Sequence, residues 1–446
     1  MVANDTHPVP ASKLRSPGFK LVILVLLTVL MAVPLFVIQL ALLDRQSRAN
    51  DAAQDIANGW GGAQTVAGPV LFVPYDQEAE TVVDGKTMQS TQHLTAVLLP
   101  SSLTLDTKTA TDTRWRGIFP VPVYRAALGL HAQFDKAALD GFVPQGGHMF
   151  WNQASLGVMI SDVRGIAGNV TMIVNGKPVA FQPGIGVDGA TGIHVPLGLS
   201  AEPDSLTLSA DLSLRGSREL NFAALGRQTS AHLSSAWPDP SFSGAFLPTE
   251  HRIGPQGFDA AWNIPYLARG YGQSFATPDG VFQTLESNSF GVKFYQPVDF
   301  YQLVQRSLKY AILFVGLAFL VFFVAEMIVG RRLHAAQYTL MGAAPVLFYL
   351  LLLSFAEHIG FAAAYLMAAT ATVGLTALYA ASAFASKARA GALFVVLSGL
   401  YGLLYVILIQ EDYALLIGAL VLFCALGATM FATRRLDWSR IAPEPA

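Results

Sequence analysis

Cysteine, charge and basic runs are what this chain of 446 residues has least of, and each shortage removes a class of protein. Its one cysteine, Cys424, lies in the last hydrophobic segment. The polar part of the chain can therefore form no disulfide and no thiolate metal site, and its fold has to rest on its own core. Charged residues make up 13% of the chain and hydrophobic residues 53%, the former roughly half the share usual in soluble domains. That deficit calls for a membrane. The net charge is −2, from 28 Lys and Arg against 30 Asp and Glu. No run of basic residues forms a polybasic patch, so nucleic acid is set aside as a partner. Sequences of the HExxH, GxSxG and P-loop kinds are also missing.

What is present is hydrophobic length. An apolar run of about 18 residues or more with at most one charge reads as a membrane helix, because about 20 residues at 1.5 Å each cross the hydrocarbon layer. Six runs qualify: 21–43, 310–329, 340–356, 359–384, 391–409 and 413–433. The third is the shortest and contains Pro345. The first follows a basic stretch like that of a signal peptide, but its run of about 23 apolar residues exceeds the usual h-region of 7–15. It also lacks an A-x-A-like exit and reads as an uncleaved anchor.

Basic residues set the orientation. Lys13, Arg15 and Lys20 precede the first span, Arg331 and Arg332 follow the second, Lys387 and Arg389 the fourth, and Arg434, Arg435 and Arg440 the sixth. All fall on one side, while the short connections on the other carry Glu357-His358 and Glu411-Asp412. Short basic loops stay cytoplasmic. The chain then divides into a cytoplasmic tail 1–20, an anchor 21–43, an exported domain 44–309, a five-helix block 310–433 and a cytoplasmic tail 434–446. Arg45, Arg48, Arg306 and Lys309 oppose this, but beside a large translocated domain the charge rule is weak.

Within the exported domain, residues 44–58 read as a polar helix leaving the membrane, with Gly61, Gly62, Gly68 and Pro69 breaking it before a strand at 70–75. Further strands are expected at 94–99, 170–174, 206–214 and 292–295, with turns at Asp84-Gly85, Asn175-Gly176 and Pro183-Gly184. Leu206, Leu208, Ala210, Leu212 and Leu214 alternate with Thr207, Ser209, Asp211 and Ser213, the pattern of a half-buried strand. A short helix is expected around 136–142. Residues 297–309 read as an amphipathic helix entering the second span, with Phe300, Tyr301 and Tyr310 at the membrane interface. The fold class is an α-helical transmembrane bundle of one plus five spans with a large, predominantly β, sandwich-like exported domain, periplasmic if the chain is Gram-negative.

Chemistry is sparse. Gly184-Ile185-Gly186-Val187-Asp188-Gly189 matches GxGxxG, but 192–197 after it reads as a strand rather than the helix a dinucleotide needs, leaving a glycine-rich β-connection. His93, His131, His148, His194, His232 and His251 show no metal spacing, and no serine stands with an evident base. Asn169-Val170-Thr171 fits a glycosylation sequon. Trp237-Pro238-Asp239-Pro240-Ser241-Phe242 and Trp262-Asn263-Ile264-Pro265-Tyr266 read as strand ends pinned in the core rather than an exposed recognition surface.

Ionisable groups in the membrane block say more, because a charge at mid-bilayer costs at least about 2.5 kcal/mol. Glu326, roughly one turn before Arg331, either pairs or snorkels at the cytoplasmic interface or marks a polar site inside the bundle. Glu357 and His358 read as solvated residues of a very short exported-side turn, with a gating or proton-sensitive contact as the alternative. No chain of intramembrane acids and no pair of broken helices gives a transporter signature.

Several stretches carry a resemblance. They are Gly68-Pro69-Val70-Leu71-Phe72-Val73-Pro74-Tyr75, Arg116-Gly117-Ile118-Phe119-Pro120-Val121-Pro122-Val123-Tyr124, Ser161-Asp162-Val163-Arg164-Gly165-Ile166 and the Trp237 to Phe242 segment. After them come Gln296-Pro297-Val298-Asp299, Lys309-Tyr310-Ala311-Ile312-Leu313-Phe314, Glu326, Leu333-His334, Gln337-Tyr338 and Ser354-Phe355-Ala356-Glu357-His358-Ile359-Gly360-Phe361. In this order, over almost the whole chain, they resemble the bacterial inner-membrane CreD family of cell envelope integrity proteins. Where that family usually has a proline after the loop histidine, Ala335 follows His334. The resemblance implies a Gram-negative inner-membrane protein linked to a Cre-type two-component response and to envelope integrity, and it supplies no catalytic residue to carry over. The expectation is a non-enzymatic protein without cofactor or metal, whose exported domain contacts an unknown envelope component while the bundle anchors it in the lipid bilayer. A transporter or lipid-handling protein using the bundle is the alternative.

Overall fold

The computed structural model describes residues 17–83, 86–140, 142, 147–168, 170–185, 191–276, 281–294, 300–329, 333–410 and 413–434. The chain divides at Arg48/Ala49 and Pro297/Val298 into a helical unit and a β unit. Asp84-Gly85, Asn169, Gly186 to Gly189, Gln296 to Asp299, Arg331-Arg332, Glu411-Asp412, and the tail residues Lys13, Arg15, Arg435 and Arg440 lie outside the described residues.

Helix α1 (Pro17–Trp60) opens the helical unit, and its residues from Ala49 onward belong to the β unit. The short α2 (Lys136–Leu139) and α3 (Val281–Glu286) belong to the β unit, and α4 (Phe300–Val329), α5 (Ala335–Ile359), α6 (Phe361–Ala383), α7 (Lys387–Ile409) and α8 (Ala414–Thr433) complete the helical unit. Helices α1 and α4 to α8 are long and apolar enough to cross a membrane. In α1 the buried residues Leu24, Met31, Leu35, Ile38 and Leu42 fall on one stripe, with the 7-4-3-4 spacing that keeps a single seam against neighbours. Val25, Val29, Val33 and Phe36 point outward. As expected, the helix continues beyond its apolar part through the polar residues to Trp60.

The third span is not short. Helix α5 runs for 25 residues with Pro345 buried inside it, a placement membrane helices tolerate where neighbours support the turn. One turn earlier α4 closes in, since a Cβ on Gly342 would lie 2.1 Å from the Phe319 ring. At the start of α5 the His334 N–H donates to the Gln337 side chain at 2.9 Å. This is half of a capping box, so the helix starts at Ala335 without a proline.

The strands of the β unit are β1 (Gln64–Val83), β2 (Lys86–Leu98), β3 (Ser102–Arg116), β4 (Phe119–Phe134), β5 (Ser155–Ile160), β6 (Thr171–Val174), β7 (Lys177–Ala180), β8 (Gln182–Pro183), β9 (Gly192–Pro196), β10 (Leu206–Ser217), β11 (Glu219–Ala223), β12 (Gln228–Ser235), β13 (Pro240–Gly244), β14 (Glu250–Gly254), β15 (Gly257–Pro265), β16 (Ser274–Ala276) and β17 (Ser289–Phe294). One sheet has the order β13-β17-β11-β1-β5-β9-β8, with β2 and β16 branching from β1; the other has the order β14-β15-β12-β3-β4-β10-β6-β7. A single core cluster draws on both sheets, as in a sandwich.

Pairing is antiparallel except for β1 with β11 and β12 with β3. The alternation in β10 holds, with its leucines buried and Thr207, Asp211 and Ser213 exposed. Asn175 and Gly176, both at positive φ (48° and 77°), turn β6 into β7, the primed turn such a hairpin favours. Gly68-Pro69 does not end a helix but sits within β1, where the register against β5 shifts between Ala67 and Val70. The expected helix at 136–142 ends at Leu139. Trp262 is buried against Phe242 and Phe290, and Trp237 packs edge-on to Phe294. That cluster is core.

Candidate functional site

A carboxylate held among membrane helices needs a compensating partner. The Glu326 side chain of α4 is 1% exposed and has two. Lys20 of α1 forms an ion pair with one oxygen, and Tyr338 of α5 donates its hydroxyl to the other. Of the two expectations for Glu326, pairing is observed, but its described partner is Lys20, 306 positions away.

Glu357 is not in a solvated turn. Helix α5 continues through Ile359, and Gly360 alone, at φ 78°, leads into α6. The helical geometry carries the Glu357 side chain inward, where it is 6% exposed. Tyr301 of α4 donates to its Oε1 at 3.2 Å, and an Arg45 Nη1 of α1 lies 3.7 Å from Oε2. Tyr301, near the start of α4, is thereby a buried partner of this carboxylate. His358 remains exposed, its Nδ1 3.1 Å from the Ser354 carbonyl of its own helix.

The two sites share one recipe. Each takes its cation from α1, and α4 and α5 supply a glutamate and a tyrosine, with the roles exchanged between the two ends. The residues from Lys20 to Arg45 span about 37 Å at 1.5 Å each, between the roughly 30 Å hydrocarbon core and the 40–45 Å full bilayer thickness. Helix α1 is thus tied at both ends of a stretch about as long as a bilayer is thick, antiparallel to α4 and parallel to α5. With their charges paired, both glutamates act as ties between helices.

In the β unit, the Trp60 ring at the end of α1 collects guanidinium groups from three strands. Arg114 of β3 lies 3.7 Å from its centroid, Arg215 of β10 5.2 Å and Arg125 of β4 5.3 Å. The indole N–H donates to the Tyr124 carbonyl at 3.3 Å. Arg125 and Arg215 oppose each other in register. Among the described residues none of the three arginines forms an ion pair, and Arg215 Nε is buried without an acceptor. No motif flags this cluster, because only strand pairing assembles it. Elsewhere on the same sheet His232 sits between Asp106 (3.2 Å) and Asp259 (2.8 Å). Partial burial opposes its charge, but the two carboxylates outweigh this and raise it above the ordinary histidine value. Among the described residues no group of three His, Cys, Asp or Glu lies close enough to hold a metal.

Comparison with known proteins decides the family. The model of the family "Inner membrane protein CreD" matches residues 16–439. The chain belongs to the CreD family. Inner membrane protein CreD of Escherichia coli (strain K12) is 32% identical over 432 residues, covering 95% of this chain and 94% of that protein. As a CreD-family member with six apolar helices, the chain is a multi-pass inner-membrane protein.

Stretches that carry the CreD resemblance have physical roles. Gln337-Tyr338 supplies the helix start and the Glu326 partner. Asp162 accepts from the Gly62 N–H at 2.9 Å and from Arg164 Nε and Nη2 at 2.8 and 2.9 Å. Arg164 foremost holds its carboxyl below the ordinary range. Gly165 has no room for a Cβ, which would lie 2.2 Å from the Arg215 carbonyl oxygen.

Proposed function

We propose that this CreD-family protein supports envelope integrity by binding rather than catalysis. In this reading the β unit lies in the periplasm and presents the arginine-ringed Trp60 to an anionic group of an envelope component, while the bundle anchors it. The link to a Cre-type two-component response belongs to the same proposal. Orientation rests on Lys20, Lys387, Arg389 and Arg434, which flank one side of the spans.

What supports binding is the charge around Trp60, which no ion pair compensates among the described residues. Like charges directly opposite on neighbouring strands are unfavourable. A phosphate or carboxylate bridging Arg125 and Arg215 relieves that repulsion through the planar, bidentate geometry guanidinium groups favour.

The test is a full-length chain carrying Arg125→Glu and Arg215→Glu, returned to cells lacking the protein. It should insert at wild-type level yet leave envelope stress sensitivity as in the deletion. Full rescue by this variant would falsify the reading. The alternative, transport or lipid handling through the bundle, draws on Glu326, and the pairing of that carboxylate with Lys20 and Tyr338 supports a holding role for it.

A further inference from the structure

Between α4, α7 and α8 runs an apolar groove of about 540 Å³. Its lining runs from Leu317 to Val329 along α4, from Leu403 back to Arg389 along α7, and from Val421 to Thr429 along α8. The α4 stretch is about 18 Å long at 1.5 Å per residue, close to the roughly 15 Å depth of one leaflet. Arg389 is the one charged residue of the lining, and the order of residues places it at the end shared by Val329 and Thr429. It is exposed and forms no ion pair among the described residues. Lys387 begins the same helix and Arg434 follows α8 at that end of the bundle.

We propose that this groove seats an acyl chain of an anionic phospholipid, with the headgroup phosphate on Arg389. An apolar slot one leaflet deep, with a cation where the headgroups lie, matches a phospholipid at both of its ends. A transmembrane helix from a partner needs about 30 Å of apolar contact and leaves the cation without a use. A second groove, of about 610 Å³ between α6 and α7, provides the contrast. It is lined by residues such as Phe394, Tyr401 and Tyr405 and contains no charged residue, so it takes lipid tails without choosing among headgroups. Each groove has a glycine on its wall, Gly399 in the first and Gly402 in the second, where an added Cβ meets nothing within 4 Å. A side chain added at either position therefore starts in open space on the groove wall.

The experiment is native mass spectrometry of the full-length chain released from bilayers of equimolar phosphatidylglycerol and phosphatidylcholine. The wild type should retain phosphatidylglycerol over phosphatidylcholine by about fivefold, the effect of roughly one basic residue at an anionic surface. Arg389→Gln should abolish the preference, and Gly399→Leu should reduce retention of both lipids. Gly402→Leu should leave the preference intact. Equal retention of the two lipids by the wild type overturns the proposal. So does a preference that survives Arg389→Gln, or one that inorganic phosphate alone displaces. If Gly399→Leu does not fold, the Arg389→Gln arm decides.

Discussion

Glu326 shows how a single residue is read correctly in kind and incompletely in place. A glutamate inside an apolar run announces a paired or functional group, but nothing in the local sequence says that its partner is Lys20 on the first helix. Lys20 is legible only as an orientation signal. Glu357 is misread for a related reason: Glu-His before a glycine looks like a loop, and two further residues of helix turn the carboxylate inward to Tyr301 and Arg45. Removing one partner of a buried ion pair costs about 3–5 kcal/mol, whereas replacing both by apolar groups is often neutral. Lys20→Met alone should therefore lower the melting temperature of the detergent-solubilised protein by several degrees. Lys20→Met combined with Glu326→Met should recover most of that loss, as measured by thermal-shift chromatography. An additive double variant would mean that the pair is not coupled.

At the scale of elements, the membrane helices were legible because hydrophobic length is a property of contiguous residues. The third span reads as the shortest run and contains Pro345, yet α5 extends for 25 residues, and packing overrides that local signal. Gly342 marks the place: with the Phe319 ring 2.1 Å from where a Cβ would lie, α4 and α5 approach as closely as small residues allow. Gly342→Val should separate the two helices and cost more thermal stability than valine at Gly374 in α6, where an added Cβ meets nothing within 4 Å. Equal losses at the two sites would contradict the close approach. The strands were legible one by one where side chains alternate, as in β10, but not their neighbours. The parallel pairs β1 with β11 and β12 with β3 join segments more than 100 residues apart, and alternation carries no information about such partners.

For the whole molecule, composition separated a membrane part from a water-facing part, and the structure gives each its own architecture. The Trp60 cluster was invisible at every smaller scale, since its arginines come from β3, β4 and β10 and their charges are unremarkable singly. The central claim is that this cluster faces the periplasm and engages an anionic envelope component. The most direct measurement places a photo-cross-linking amino acid at Asp112, two residues from Arg114 on β3, in the full-length protein in intact cells, with exposed Asp204 as the control position. The account predicts an adduct with an anionic periplasmic or envelope component from Asp112, absent from Asp204 and lost when Arg125 and Arg215 are changed to Glu. Adducts with cytoplasmic proteins, or the same adduct from both positions and from the charge-reversed variant, would contradict it.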